Sequence, residues 1–125
     1  MTPDADDHAP EPPTANPHAR TRTMDGFVVV EVTGEIDLAT AEFVLDHLDA
    51  ATAPPAPDVL VDLRAVEFID CSGLRVLCRG ETRAREHGGR LRLVSDAPHI
   101  LRLLRGAGLM KRLPPLPALP GEGRT

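Results

Sequence analysis

Val59-Leu60-Val61-Asp62-Leu63-Arg64-Ala65-Val66-Glu67-Phe68-Ile69-Asp70-Cys71-Ser72-Gly73-Leu74-Arg75-Val76-Leu77-Cys78 is the stretch whose reading decides the fold. Val59, Leu60, Val61 and Leu63 make an apolar run too short and too β-branched for a helix. The run predicts a strand buried on both faces, as in a parallel sheet. After a crossover of a few residues, Phe68 and Ile69 aim the chain back at the core. Residues 70–73 then form a tight polar turn. From Leu74 onward the apolar residues Leu74, Leu77 and Cys78 fall at helical spacing. The turn therefore feeds a helix N-terminus, where free backbone N–H groups and the helix dipole favour negative charge. A hydroxyl held there is placed to accept a phosphate and to tolerate it.

Upstream of this stretch, Thr21 to Met24 can form a short strand, and Asp25-Gly26 is a hairpin-turn signal. Phe27-Val28-Val29-Val30-Glu31-Val32 follows as a second, branched strand that ends in Thr33-Gly34-Glu35-Ile36-Asp37. Gly34 is expected to supply a backbone conformation that other residues resist. Thr40 is a plausible N-cap, and Ala41, Val44, Leu45 and Leu48 give one apolar helical stripe ending before Pro54 and Pro55.

Downstream, the helix after the turn is expected to run over residues 72–86 and to stop at His87-Gly88-Gly89. Leu91 to Val94 reads as a further parallel strand. Asp96 can cap a last helix that has Pro98 at its start, with Ile100, Leu103, Leu104 and Ala107 on its core face. The order β-β-α-β-α-β-α predicts an α/β domain, a small mixed sheet of four to five strands with three to four helices packed on it.

The 125 residues are enough for one domain with a real core. Acidic residues outnumber basic ones, 19 to 14, which argues against non-specific nucleic-acid binding. There is no Trp or Tyr and only three Phe, so the stacking platforms of single-strand binders are missing. No apolar run reaches the length of a membrane span and no signal-peptide pattern precedes the first strand, so a cytoplasmic protein without membrane insertion is expected. Cys71 and Cys78 are too few for a disulfide framework. The five histidines, His8, His18, His47, His87 and His99, form no ligand spacing and read as solvent-facing. No metal and no cofactor is indicated. Walker, dinucleotide-binding and Gly-x-Ser-x-Gly motifs are missing, so no catalytic machinery is evident.

The run around Asp70-Cys71-Ser72-Gly73-Leu74 resembles the STAS domain of bacterial anti-sigma-factor antagonists, whose pattern is an apolar strand, an aromatic-aliphatic pair and Asp-Ser/Cys-Ser-Gly-Leu opening a helix. Gly34-Glu35-Ile36-Asp37 resembles the second family signature, and the likeness spans roughly residues 23–113. Taken alone, Ser72 is more simply a helix-capping residue. The two matched motifs reverse that reading. The resemblance implies that Ser72 is phosphorylated by an anti-sigma factor that is itself an ATP-using serine kinase. It implies further that the unphosphorylated form binds this kinase and displaces a sigma factor, and that a serine phosphatase resets the switch.

By the same resemblance Glu35 and Asp37 contribute to partner contact beside the phosphoacceptor. Asp70 can cap the helix or help orient the acceptor hydroxyl, and the two roles are compatible. Cys71 stands where many relatives carry a second serine, and reads as a small packed residue more readily than as a reactive thiol. Gly73 belongs to the same contact surface. Arg75, Arg79 and Arg83 recur along one side of the helix, either as a solvated face or as a dock for acidic residues, with Arg75 the nearest to the turn. A monomer is expected. The alternative is an unphosphorylated STAS interaction module in a lipid-transport ATPase or sensory complex. The expected organisation is a Pro-rich flexible leader over residues 1–20, the STAS domain over 21–113 and a Pro/Gly-rich tail over 114–125.

Overall fold

The computed structural model of the chain describes residues 12–122. The expected flexible leader therefore falls outside the described residues up to position 11, as does the tail from 123 onward. Between them lie β1 (Ala19–Met24), β2 (Phe27–Ile36), α1 (Ala41–Thr52), β3 (Asp58–Ile69), α2 (Cys71–Glu86), β4 (Arg90–Val94), α3 (Pro98–Gly106) and β5 (Pro115–Leu116). The expected mixed α/β architecture is what forms. It has five strands in the order β1-β2-β3-β4-β5, with β1 antiparallel to β2 and every later pair parallel.

Asp25 and Gly26 both take positive φ, 49° and 89°, which is the turn that joins β1 to β2. From β2 on, each parallel connection steps the sheet in one direction. A right-handed crossover then places every helix on the same face. That face holds the main core, in which Val30, Val32, Val59, Val61, Leu63, Leu91 and Leu93 of the strands meet Val44, Leu48, Leu74, Leu77, Ile100 and Leu104 of the helices. The opposite face carries a smaller cluster of Val29, Leu60, Val94 and Leu119. Around it run ion pairs that hold the strands' outward charges, with Arg20 and Arg22 on Glu31 at 2.8 and 3.0 Å and Arg64 on Asp62 at 2.8 Å.

Several local expectations give way to tertiary pairing. The central strand does not break after Leu63; β3 continues to Ile69, because β2 pairs with it along its length and absorbs the irregularity in register shifts near Thr33 and Gly34. Gly34 has φ +82°, the left-handed conformation the sequence implied. β1 begins at Ala19, and the segment before it packs on α1. There Asn16 Nδ2 donates to the Phe43 carbonyl at 3.1 Å, while its Oδ1 accepts from the His18 and Ala19 N–H groups, both at 2.8 Å.

His47 is not solvent-facing but fully buried. Its Nε2 donates to the Thr14 carbonyl, which can only accept, at 3.3 Å, and its Nδ1 shares a hydrogen bond with the Thr21 hydroxyl at 2.7 Å. Asp96 does not cap α3. Ala97 occupies that position, and the Ala97 N–H is taken by Ser95 Oγ at 3.2 Å. The proline-rich segment after Leu113 adds β5 and seats Leu119, 2% exposed, on the bare sheet face. Glu122 then pairs with Arg64 at 2.7 Å.

Candidate functional site

At the carboxyl end of the two central strands, β2 and β3 pair Glu35 with Phe68 and Ile36 with Ile69. The Asp70 N–H extends the pairing by one step, donating to the Ile36 carbonyl at 3.1 Å. The loop after β2 and the turn after β3 are therefore side by side, and both signatures noted in the sequence stand at one end of the sheet.

Asp70 is the N-cap of α2. Its backbone is extended (φ −110°, ψ −167°), and Oδ1 accepts the Ser72 N–H at 2.8 Å and the Gly73 N–H at 3.2 Å. Cys71 and Ser72 are the first two helical residues, with Cys71 exposed and Ser72 half-buried. Gly73 is buried under them. A Cβ there would collide with Ile69 Cγ1 and lie 3.0 Å from Ile36 Cγ2, so the helix start seats itself on the two strand ends only without a side chain at 73. Gly73 thus shapes the surface from beneath, while Cys71, Ser72 and Arg75 are offered from above it.

The loop after β2 is as firmly built. Asp37 Oδ1 accepts from the Ala39 N–H at 3.0 Å and from the Thr40 N–H at 3.2 Å. The Thr40 hydroxyl donates to the Glu35 carbonyl at 2.8 Å and accepts the Asp37 N–H at 2.9 Å. Asp37 is consequently engaged in holding its own loop, and of the two acids there Glu35 is the exposed one. Thr40 precedes α1 as expected, although its side chain braces the loop instead of capping the helix.

Of the arginines along α2, Arg79 and Arg83 reach sideways to Asp49 of α1, at 3.2 and 3.5 Å, and Arg83 also donates to the Thr52 hydroxyl at 3.1 Å. Arg85 pairs with Glu81 one turn back at 3.2 Å, as its spacing implied. Arg75 is exposed and enters none of the ion pairs formed among the described residues. Sequence reading missed the exposure of Leu38 and misplaced Phe68. The aromatic residue does not turn into the core, since Ile69 takes that position; Phe68 is 51% exposed and Leu38 83%. Their apolar character was legible, their exposure was not. Among the described residues no cluster of His, Cys, Asp and Glu could hold a metal ion, and no helix is long and apolar enough to cross a membrane.

A mixed sheet with its helices on one face, and a serine-bearing turn opening the second helix at the end of the central strands, defines an α/β domain of the STAS class. The family model described as "Mlab, STAS domain" matches residues 19–117. The chain belongs to the STAS-domain family of anti-sigma factor antagonists. It is 29% identical over 90 residues to an anti-sigma F factor antagonist of Paenibacillus polymyxa, covering 71% of this chain and 77% of that one. An anti-sigma factor antagonist from Mycobacterium paratuberculosis, known from its crystal structure, is 33% identical and superposes with a TM-score of 0.73 over 81% of this chain and 86% of the other. The Bacillus cell fate determinant SpoIIAA in its phosphorylated form shares the fold, with a TM-score of 0.62 at 18% identity over 78% of this chain and 89% of that one. The named relatives are binding regulators and not enzymes.

Proposed function

We propose that this chain is an anti-sigma factor antagonist whose unphosphorylated form binds an anti-sigma factor of the ATP-using serine kinase type and so releases a sigma factor. Phosphorylation of Ser72 turns that binding off, and a serine phosphatase restores it. The observation that carries the reading is the position of Ser72 in the first turn of α2, half-exposed, with its N–H held by the Asp70 cap. Cys71 projects further, but it bears a thiol, so Ser72 supplies the hydroxyl of the turn on which a serine kinase can act.

A phosphoserine adds about −1.5 to −2 charges at neutral pH. The helix N-terminus tolerates that charge. Asp70 beside it and Glu35 and Asp37 on the neighbouring strand end are like charges, so the phosphate raises the electrostatic and desolvation cost of closing a partner over the turn. The domain keeps its fold and the docking surface becomes more negative. Arg75, one turn into α2, is the cation placed to meet a partner's carboxylate.

Incubating the chain with ATP and a purified anti-sigma factor kinase tests the reading, with an intact-mass gain of about 80 Da expected for one phosphoryl group. Ser72→Ala should take up no phosphate and bind constitutively, and Ser72→Asp should not bind. Equal affinity of the two variants would remove the switch, while failure of the unmodified chain to bind any anti-sigma factor would remove the antagonist role itself.

A second reading, an unmodified STAS interaction module held within a lipid-transport ATPase or sensory assembly, draws on the description of the matching family model, which names Mlab. Its signature is stable association with such an assembly that neither ATP nor Ser72→Asp disturbs.

A further inference from the structure

Large apolar side chains left in water are informative when they cluster near a site and when the backbone holds them there. Among the described residues the large exposed apolar side chains are Leu38 at 83%, Phe68 at 51% and Phe43 at 37%. Phe43 has a neighbour within the chain, since its ring stacks on His18 with centroids 5.7 Å apart. Leu38 and Phe68 both stand at the sheet end where α2 begins. Phe68 is in register with Glu35, Ile69 with Ile36, and Leu38 follows Ile36 by two residues.

Leu38 does not owe its exposure to a slack loop. The residues on either side of it are tied by the Asp37 carboxylate, the Thr40 hydroxyl and the Thr40 and Ala41 N–H bonds to the Asp37 carbonyl at 3.1 and 2.8 Å. Phe68 is fixed by the β2–β3 pairing. A side chain already held outward by its backbone surrenders little chain entropy when a partner closes on it, so both residues are prepared for docking.

We infer that Leu38 and Phe68 are the apolar anchors that dock this chain on its anti-sigma factor, which offers apolar sockets flanking a polar centre. The inference rests on the antagonist reading above. It also explains how one phosphate can act as a switch. The modified Ser72 introduces a strongly hydrated group at the same sheet end, and an apolar contact cannot dry while that group retains its water. Glu35 and Arg75 then form the polar rim that orients the pair, and the apolar anchors supply most of the affinity.

The test uses the full chain and the purified serine-kinase anti-sigma factors of the same genome, measured one at a time by calorimetry. Leu38→Ser and Phe68→Ser should each weaken the complex by about 30-fold or more, the range of an interface hot spot. Leu38→Ser should melt within about a degree or two of the parent chain, and Phe68→Ser, which gives up a half-buried ring, several degrees lower while still folded at the assay temperature. Glu86→Gln, at the exposed far end of α2 from the turn, should bind as the parent does. Unchanged affinity of both serine variants overturns the anchor role and leaves the antagonist reading standing. If the parent binds no anti-sigma factor, both fall together. Sedimentation showing that Leu38 and Phe68 instead hold two copies of this chain together also overturns the inference.

Discussion

The Asp70 carboxylate accepts the N–H of Ser72 at 2.8 Å, so the residue that starts α2 also fixes the backbone of the candidate phosphoacceptor. The same oxygen accepts the Gly73 N–H. One carboxylate oxygen therefore holds both N–H groups at the start of the helix. This geometry is that of a capped helix start.

Asp70→Ala should destabilise the domain by about 1–2 kcal/mol, the usual cost of losing an N-cap. Asp70→Asn keeps a capping oxygen and should cost less. Chemical denaturation of the three proteins at neutral pH measures the difference, and an alanine variant as stable as the parent would show that the cap is dispensable.

Gly73→Ala tests the seat beneath the turn. The added methyl collides with Ile69 and comes within 3.0 Å of Ile36, both in the core. Overpacking of this kind costs about 1–3 kcal/mol. The loss should appear as a lower denaturation midpoint with an unchanged slope.

Leu119→Ala probes the proline-rich segment as part of the fold. Leu119 is buried against Val29, Leu60 and Val94, where a leucine-to-alanine change costs about 2–5 kcal/mol. A dispensable tail would show a change near zero, so the two descriptions separate clearly in a thermal melt.

Acid should loosen the domain through its paired carboxylates. Burial works against ionised Asp62, yet the Arg64 side-chain and backbone bonds outweigh it and hold the carboxyl below its ordinary value of 3.8. Burial is likewise overcome at Glu81 by Arg85 and Arg112, and Arg20, with Arg22, lowers Glu31, in both cases below 4.5. A carboxylate whose pKa falls on folding stabilises the folded state above its unfolded value, and that stability is lost as pH drops through the depressed one. Stability should therefore be level near neutrality and decline below about pH 4.5. Asp62→Asn should be less stable at pH 7 by about 1 kcal/mol and should show a shallower acid decline. An identical acid profile in parent and variant would exclude Asp62 from this behaviour.

Much of this molecule was legible from local chemistry. The branched runs at Val28 to Val32 and Val59 to Leu63 are strands because their side chains suit a pleated, buried surface. Asp25-Gly26 is the turn into β2 and Gly34 sits at a register shift within it, both places where the backbone takes a positive φ. The start of α2 was marked by Asp70, whose short carboxylate satisfies free N–H groups that any helix must expose.

What tertiary structure decided was which side chains the assembled surfaces cover. His47 and Leu119 lie in stretches whose sequence suggests exposure, and both are buried because another segment crosses over them. Phe68 and Leu38 go the other way, left outside when Ile69 and Ile36 take the positions against α2. Arg79 and Arg83 read like Arg75 along one helix face, yet α1 supplies Asp49 to the first two alone. Propensity, turns and caps depend on a few neighbouring residues and are written in the chain itself. Burial and pairing depend on partners that only folding brings together.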